Sequence, residues 1–384
     1  MKISYKYRIY PTESQQEILQ KVFNFCRFLY NSALEERNSY YKKYRKGISY
    51  LKQAAYLSEI KEEFKEQVKG SIYSQCLQST LKQLNNAFDN FFRRVKQKLG
   101  KAGYPRFKSF DRYNSIRFPQ SDFTCNGVKL TADTKHIEIF GIPGKINIEY
   151  HRPYEGICKT VVIKKHADKY YVVLSCIDVP IKPLPKTGKT ISIDLGITKF
   201  IKTNENDVYY HPKPYRTAKE KLSYLNRKLA SKQKGSNNRK KLKIKLARAH
   251  EKVANIRLDF QHKTANDLLK KYDKIILEDL NLISMLKSEE HIVKKANILD
   301  AAFGQFVSIL TYKAERADKL LKFVSPVNTS KRCSKCGELK KDLTLHDRTY
   351  HCEYCGLEID RDLNAALNIL ELGTSLDNFR SPTL

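Results

Sequence analysis

Hydrophobic and polar positions alternate strictly over residues 2–9. Ile3, Tyr5, Tyr7 and Ile9 fall on one face, and Lys2, Ser4, Lys6 and Arg8 on the other. A period of two predicts a strand, here with a basic outer face. Pro11 and the Thr12-x-x-Gln15 box predict a helix start, with Thr12 as N-cap and Gln15 reaching back. Ile18, Val22, Cys26, Leu29 and Ala33 recur at helical spacing. Helical patterns continue to about Leu99, with Leu77, Leu81, Leu84, Phe88 and Phe91 as a second stripe. From about 114 to 179 the period returns to two. HIEIFGIPGKINIEY predicts two strands around Gly141 to Gly144, and KTVVIKKHADKYYVVLSCIDV predicts a hairpin. A strand at 2–9 needs a sheet to join, so a small β-barrel interrupted by a helical block is expected.

IKPLPKTGK, with two prolines and a glycine, reads as a linker. Beyond it, TISIDLGITKFIKT predicts a buried strand containing Asp194. Residues 213–248 predict two helices around the turn GSNN, and an amphipathic helix follows. YDKIILEDLNL predicts a second buried strand ending in Glu278 and Asp279. Another helix is expected at about 300–319. A last one should begin at Asp362 and pack through Ala365, Ala366, Leu367 and Ile369.

Charge sharpens this picture. Lys and Arg number 72 against 41 Asp and Glu, a formal net charge of +31. Solubility needs far less, and the usual reason for such self-repulsion is a polyanionic partner. Residues 213–248 carry 14 Lys/Arg and one acid, Glu220, which favours phosphate contact there and makes Arg239, Lys240, Lys241 and Lys243 candidate contacts. Arg93 to Arg112 holds eight Lys/Arg and one acid. Within it, Tyr104 and Phe107 alternate with Arg106 and Lys108, a pattern that suits base stacking and phosphate pairing as well as it suits a solvated loop. No apolar run approaches the length of a membrane span, and the start has no signal-peptide core. A cytoplasmic protein, nucleoid-associated when bound to DNA, is expected.

Two groups of residues carry chemistry. Cys333, Cys336, Cys352 and Cys355 form a C-x2-C-x15-C-x2-C array, in which each knuckle aims two thiolates at one point and Gly337 and Gly356 free the turns. Four thiolates make a closed, structural Zn²⁺ site of the ribbon type. The second group is Asp194 in a strand, Glu278 at a strand end and Asp362 at a helix start. An acid in an apolar strand is costly unless paired or metal-bound. Converging carboxylates can hold two Mg²⁺ or Mn²⁺ ions about 3.5–4 Å apart for phosphodiester cleavage. Spacing alone leaves Asp360 and Asp279 as rivals.

The motifs SIDLGITKF, IRLDFQHK, IILEDLNL, NTSKRCSKCG, HCEYCG and DRDLNAALNIL occur in this order, after YRIYPTESQ, CRFLYNSALE and GYPRFKS. Together they resemble the TnpB proteins of bacterial and archaeal insertion sequences, often labelled transposases and related to type V CRISPR effectors. The resemblance spans residues 3 to about 373.

It implies a multidomain α+β chain. A wedge-type β-barrel (1–10 and 105–180) would carry an inserted helical recognition lobe (11–104). A RuvC nuclease domain of RNase H-like α/β fold (181–325 and 359–375) would carry an inserted zinc ribbon (326–358), and 376–384 would be a frayed tail. It further implies Asp194, Glu278 and Asp362 as the catalytic triad, with Asp362 favoured over Asp360. The partners would be a guide non-coding RNA from the protein's own element and target double-stranded DNA, cut beside a short motif. Three intact acids count against a non-cleaving regulator. The lack of a His-x-His motif counts against a strand-transferring transposase. Phe303 stands where the family commonly has Trp, and Gln261 where Leu is usual.

Overall fold

The computed structural model describes all residues except 65–71, 99, 101, 281–291, 341, 345–346 and 376–384, so the expected frayed tail lies outside the described residues. The chain forms two compact units, Met1–Pro180 and Ile181–Leu384.

In the first unit, β1 (Ile3–Tyr10) leads into α1 (Glu13–Tyr44), α2 (Tyr50–Ala55), α3 (Leu57–Glu63) and α4 (Ser74–Lys96). Six strands follow: β2 (Ser115–Pro119), β3 (Val128–Leu130), β4 (His136–Ile139), β5 (Ile146–Glu149), β6 (Ile157–His166) and β7 (Lys169–Ile177). They make one antiparallel sheet of order β2-β6-β7-β1-β5-β4-β3, so the first strand of the chain occupies its centre. The sheet is nearly closed. Beyond β2, Ser121 Oγ donates to Val128 O at 3.1 Å, and Phe123 bridges to Lys129, which brings the two edge strands together.

The Thr12–Gln15 capping box forms as the spacing predicts. Gln15 does more than cap, because its Nε2 donates to Pro143 O at 2.9 Å and ties α1 to the β4–β5 turn. Sheet and helices share a single core: Tyr5, Tyr7, Ile9, Val161 and Leu174 pack with Leu19, Phe23, Leu77, Leu81 and Leu84. The helical run breaks at Arg45, which turns left-handed (φ 54°), and α4 ends at Lys96.

The second unit is built on a five-stranded sheet of order β10-β9-β8-β11-β12. Strands β8 (Thr190–Leu195), β11 (Lys274–Glu278) and β12 (Leu320–Val324) run parallel. Strands β9 (Ile201–Thr203) and β10 (Val208–Tyr209) continue antiparallel. The single strand expected across TISIDLGITKFIKT is therefore two, folded back at residues 196–200, where Gly196 N donates to Phe200 O at 3.2 Å. Helices α5 (Pro214–Ala230) and α6 (Asn237–Lys271) form the expected hairpin. Its second arm and the amphipathic helix after it are one continuous helix.

The helix expected at 300–319 forms as α8 (Phe303–Ala317), and another, α7 (Ile292–Ala301), precedes it, with the break between them at left-handed Ala302 (φ 51°). Buried Gln261 Nε2 donates to Ala301 O at 3.0 Å and Ala302 O at 3.2 Å, satisfying carbonyls that the break exposes. Phe303 stacks on Phe200 with ring centroids 5.7 Å apart, filling the core between sheet and helix. The cysteine module carries β13 (Thr349–His351) paired with β14 (Glu358–Asp360), and α9 (Arg361–Ser375) returns to pack against β8. Among the described residues, no helix is long and apolar enough to cross a membrane.

Candidate carboxylate and cysteine centres

Parallel register sets the first two acids side by side. Ile193 pairs with Leu277, so Asp194 and Glu278, one position further, emerge at the same carboxyl-terminal edge of adjacent strands. Alternation along β11 turns the next residue, Asp279, out to solvent, where it is exposed. The third acid arrives on α9, which is fastened to β8 where buried Ser192 Oγ donates to Ala366 O at 2.5 Å.

The acids feel one another. Burial, followed by the charges of Glu278 and Asp362, pushes the Asp194 carboxyl up to about 8. Burial also raises Glu278, against the pull of a hydrogen bond donated by Thr329 Oγ1. Such a site lacks positive charge, and the protein supplies some of it from Lys199. Its Nζ lies 2.6 Å from Asp360 Oδ2 and 3.4 Å from Asp362 Oδ2. A desolvated, mutually repelling set of hard oxygen donors with a cation drawn onto its rim fits divalent Mg²⁺ or Mn²⁺.

Asp360 has another task. Its Oδ1 accepts from Leu363 N at 3.0 Å, capping α9. Burial works against its ionisation, yet Lys199 and this backbone bond hold the carboxyl below its usual value.

The cysteines form the tighter cluster. Their sulfurs all lie within 4.8 Å of one another, the only such metal-competent group among the described residues; the three carboxylates stand wider apart. Cys333–Cys355 and Cys336–Cys352 are each 3.6 Å apart, Sγ to Sγ. Four sulfurs at about 2.3 Å from a tetrahedral ion would be about 3.8 Å apart, so the cage fits Zn²⁺. Gly337 (φ 82°) and Gly356 (φ 68°) take the left-handed turns that the knuckles need. The backbone N–H of Cys355, chiefly, draws the Cys352 thiol down, while burial and hydrogen bonds with the other three sulfurs push Cys336 up.

The candidate nucleic-acid residues sit in different surroundings. Tyr104 is exposed; its hydroxyl donates to Asn38 Oδ1 at 2.7 Å, and its ring meets Phe88 and Phe91 edge-on. Lys108 exchanges two backbone hydrogen bonds with Asn31 and lays its ammonium over Tyr30. Arg106 is exposed. Arg239 staples the α5–α6 turn, donating to Leu229 O and, at 2.9 Å, to Lys232 O. Lys240, Lys241 and Lys243 lie exposed on α6.

Sequence reasoning missed Lys199 and Thr329. Both lie inside quoted motifs, SIDLGITKF and NTSKRCSKCG, but only the fold-back after β8 and the turn after β12 bring them to the acids.

Three family models match the chain: a probable transposase of the OrfB/IS605 type at residues 170–289, a Cas12f1-like TNB domain at 303–369 and a helix-turn-helix domain at 1–46. The last region is folded here as β1 followed by the single long helix α1. Two relatives carry the name "putative RNA-guided DNA endonuclease". The one from Streptomyces pristinaespiralis is 33% identical, over 97% of this chain and 90% of its own. InsQ of Escherichia coli K12 is 30% identical, over 96% and 92%. The structure of a Cas12f1–sgRNA–target DNA complex aligns with 98% of this chain and 100% of that one, at 19% identity and a TM-score of 0.37. At this level of similarity to the two relatives, the chain belongs to the TnpB family.

Proposed function

We propose that this chain is an RNA-guided DNA endonuclease whose second unit is a RuvC-type, RNase H-like nuclease with an inserted zinc ribbon. Its first unit is then a wedge-type barrel with a helical recognition lobe. One observation carries the reading: Asp194 and Glu278 emerge together from adjacent parallel strands, Asp362 comes from α9, and burial together with the charges of the other two lifts Asp194 to about 8. Sites with perturbed acids of this kind are where catalysis concentrates.

Asp194, Glu278 and Asp362 would hold Mg²⁺ or Mn²⁺, and Cys333, Cys336, Cys352 and Cys355 would hold Zn²⁺. Bound at the acids, divalent cations supply an activated water and charge stabilisation for the leaving oxygen. The protein's own part is to fix the three carboxylates, shield Asp194 partly from water and keep Lys199 at the rim as a fixed positive charge. The excess of basic residues suits two polyanionic partners, a guide RNA from the protein's own element and the target duplex. The names of the relatives point to an RNA guide and a DNA target.

The test begins with sequencing the RNA that co-purifies with the protein. That RNA is then reprogrammed against a linear duplex. Cleavage by the wild type should fall by ~10³ or more in Asp194→Ala and Glu278→Ala, with guide and target binding retained. Undiminished cutting by both variants would remove the carboxylate centre from the mechanism.

A further inference from the structure

A short segment between β12 and the first zinc knuckle touches both centres. Buried Thr329 donates its hydroxyl to Glu278 Oε1, with Pro326 O 3.2 Å away. Four residues on stands Cys333. The stretch between them is clamped to α9, the helix that bears Asp362. Asn368 Nδ2 donates to Thr329 O at 2.8 Å and to Arg332 O at 2.7 Å. Asn364 Nδ2 donates to the same Arg332 O at 2.7 Å, and Asn364 Oδ1 accepts from Ser334 N at 2.9 Å, inside the knuckle itself. Both asparagines are fully buried. Arg332 reaches Glu371 on the same helix at 3.0 Å, and Tyr350 of β13 donates its hydroxyl to Lys331 O at 3.0 Å.

Any buried module must satisfy its carbonyls, and two asparagines could do only that. Their placement says more. Asn364 lies two residues after Asp362 and grips the backbone one residue after Cys333, while Thr329 at the other end of the segment holds Glu278. Asn368 Oδ1 is left buried without a partner among the described residues, so the side chain is oriented by its donors to this segment alone.

We propose that the cysteine module is a positional brace for the carboxylate centre. Metal at the four cysteines fixes segment 329–334, and that segment positions Glu278 through Thr329 and the Asp362 helix through Asn364 and Asn368. Thr329 is a positioning residue, orienting a ligand as outer-shell partners do. The proposal rests on the carboxylates being the cation-binding centre described above.

The test uses the full chain loaded with its RNA, and Mn²⁺ as the probe, read by electron paramagnetic resonance alongside guided cleavage and zinc content. Thr329→Val, nearly isosteric, should keep its zinc and its guide RNA. Its Mn²⁺ dissociation constant should rise about tenfold or more, with cleavage recovered at high Mn²⁺. Thr329→Ser should restore both. Stripping zinc from the wild type should weaken Mn²⁺ binding by at least that factor, and stripped Thr329→Val should bind little more weakly than stripped wild type, because the substitution breaks one of the links that stripping already releases. Wild-type Mn²⁺ affinity in Thr329→Val would overturn the proposal. So would losses from stripping and substitution that multiply. If the stripped chain unfolds, the Val and Ser pair decides alone. Asp194→Asn separates the two readings: if it leaves Mn²⁺ binding intact, the carboxylate centre itself is wrong; if it abolishes binding while Thr329→Val does nothing, only the brace is.

Discussion

Lys199 Nζ stands 3.4 Å from Asp362 Oδ2 and, at 2.6 Å, closer still to Asp360. One ammonium thus bridges two acids that spacing could not rank, and their remaining contacts separate them. Asp360 spends its second oxygen on the Leu363 N–H at the start of α9, whereas Asp362 adds to the charge felt by Asp194. Asp360→Ala should therefore cost a cap, about 1 kcal/mol of stability, and retain substantial cleavage. Asp362→Ala should lose cleavage by ~10³ or more with target binding intact. Guided cleavage and thermal melts of the two variants check this. Cutting by Asp362→Ala but not by Asp360→Ala reverses the assignment.

Much of this was legible because two periodicities survive intact in the chain. Period-two runs gave β1, the β4–β5 pair and the β6–β7 hairpin, and a capping box gave the start of α1. The acids were legible for a related reason: a carboxylate is conspicuous at the end of an apolar strand. What stayed hidden was contact across sequence. No local pattern says that TISIDLGITKFIKT folds back at residues 196–200, since its apolar residues suit one strand or two. That fold-back is what carries Lys199 to the rim of the site. Phe303, where Trp is common, packs in the core, but Gln261, where Leu is usual, closes a helix break at Ala302 that a mostly apolar, helix-favouring sequence gives no reason to expect. Nor does charge or aromatic spacing show that Tyr104 bonds Asn38 or that Arg239 staples the α5–α6 turn.

The cysteine cage sets a second expectation. With sulfurs 3.6 Å apart in each of two pairs, the purified protein should hold about one Zn²⁺ per chain. Cys333 is buried beside Tyr350, so Cys333→Ser should lower both zinc content and the yield of folded protein. Elemental analysis of the soluble fraction decides it. Fully folded wild-type protein without zinc would end the assignment.

The basic hairpin makes a separate prediction about salt. Lys240, Lys241 and Lys243 are exposed on α6, whereas Arg239 holds the turn and should be left in place. Neutralising the three lysines together should weaken nucleic-acid binding without altering target sequence. The log–log salt slope should flatten by up to about 2 to 3, since each phosphate contact contributes about 0.7 to 0.9. An unchanged slope in filter binding over a salt series would make this face a solvated surface only.

The last expectation couples protons to metal at Asp194. Its carboxyl, ordinarily near 3.8, is pushed up to about 8 by burial and by its two acidic neighbours. Between these values the folded, metal-free protein holds a proton that the unfolded chain has released. Raising the pH through that window therefore works against the fold, and metal-free stability should decline from about pH 4 towards pH 8. A divalent cation needs the ionised carboxylate, so binding must expel the proton. Apparent Mg²⁺ affinity should then rise with pH up to about 8 and level off above it. Near pH 7, calorimetry in buffers of different ionisation enthalpy should show proton release on Mg²⁺ addition. Saturating Mg²⁺ should remove the stability decline, and Asp194→Asn should remove both the decline and the Asp194 share of the released protons. Mg²⁺ affinity that is flat from pH 6 to 8 would mean that Asp194 is already ionised in the folded protein, or that it does not meet the metal.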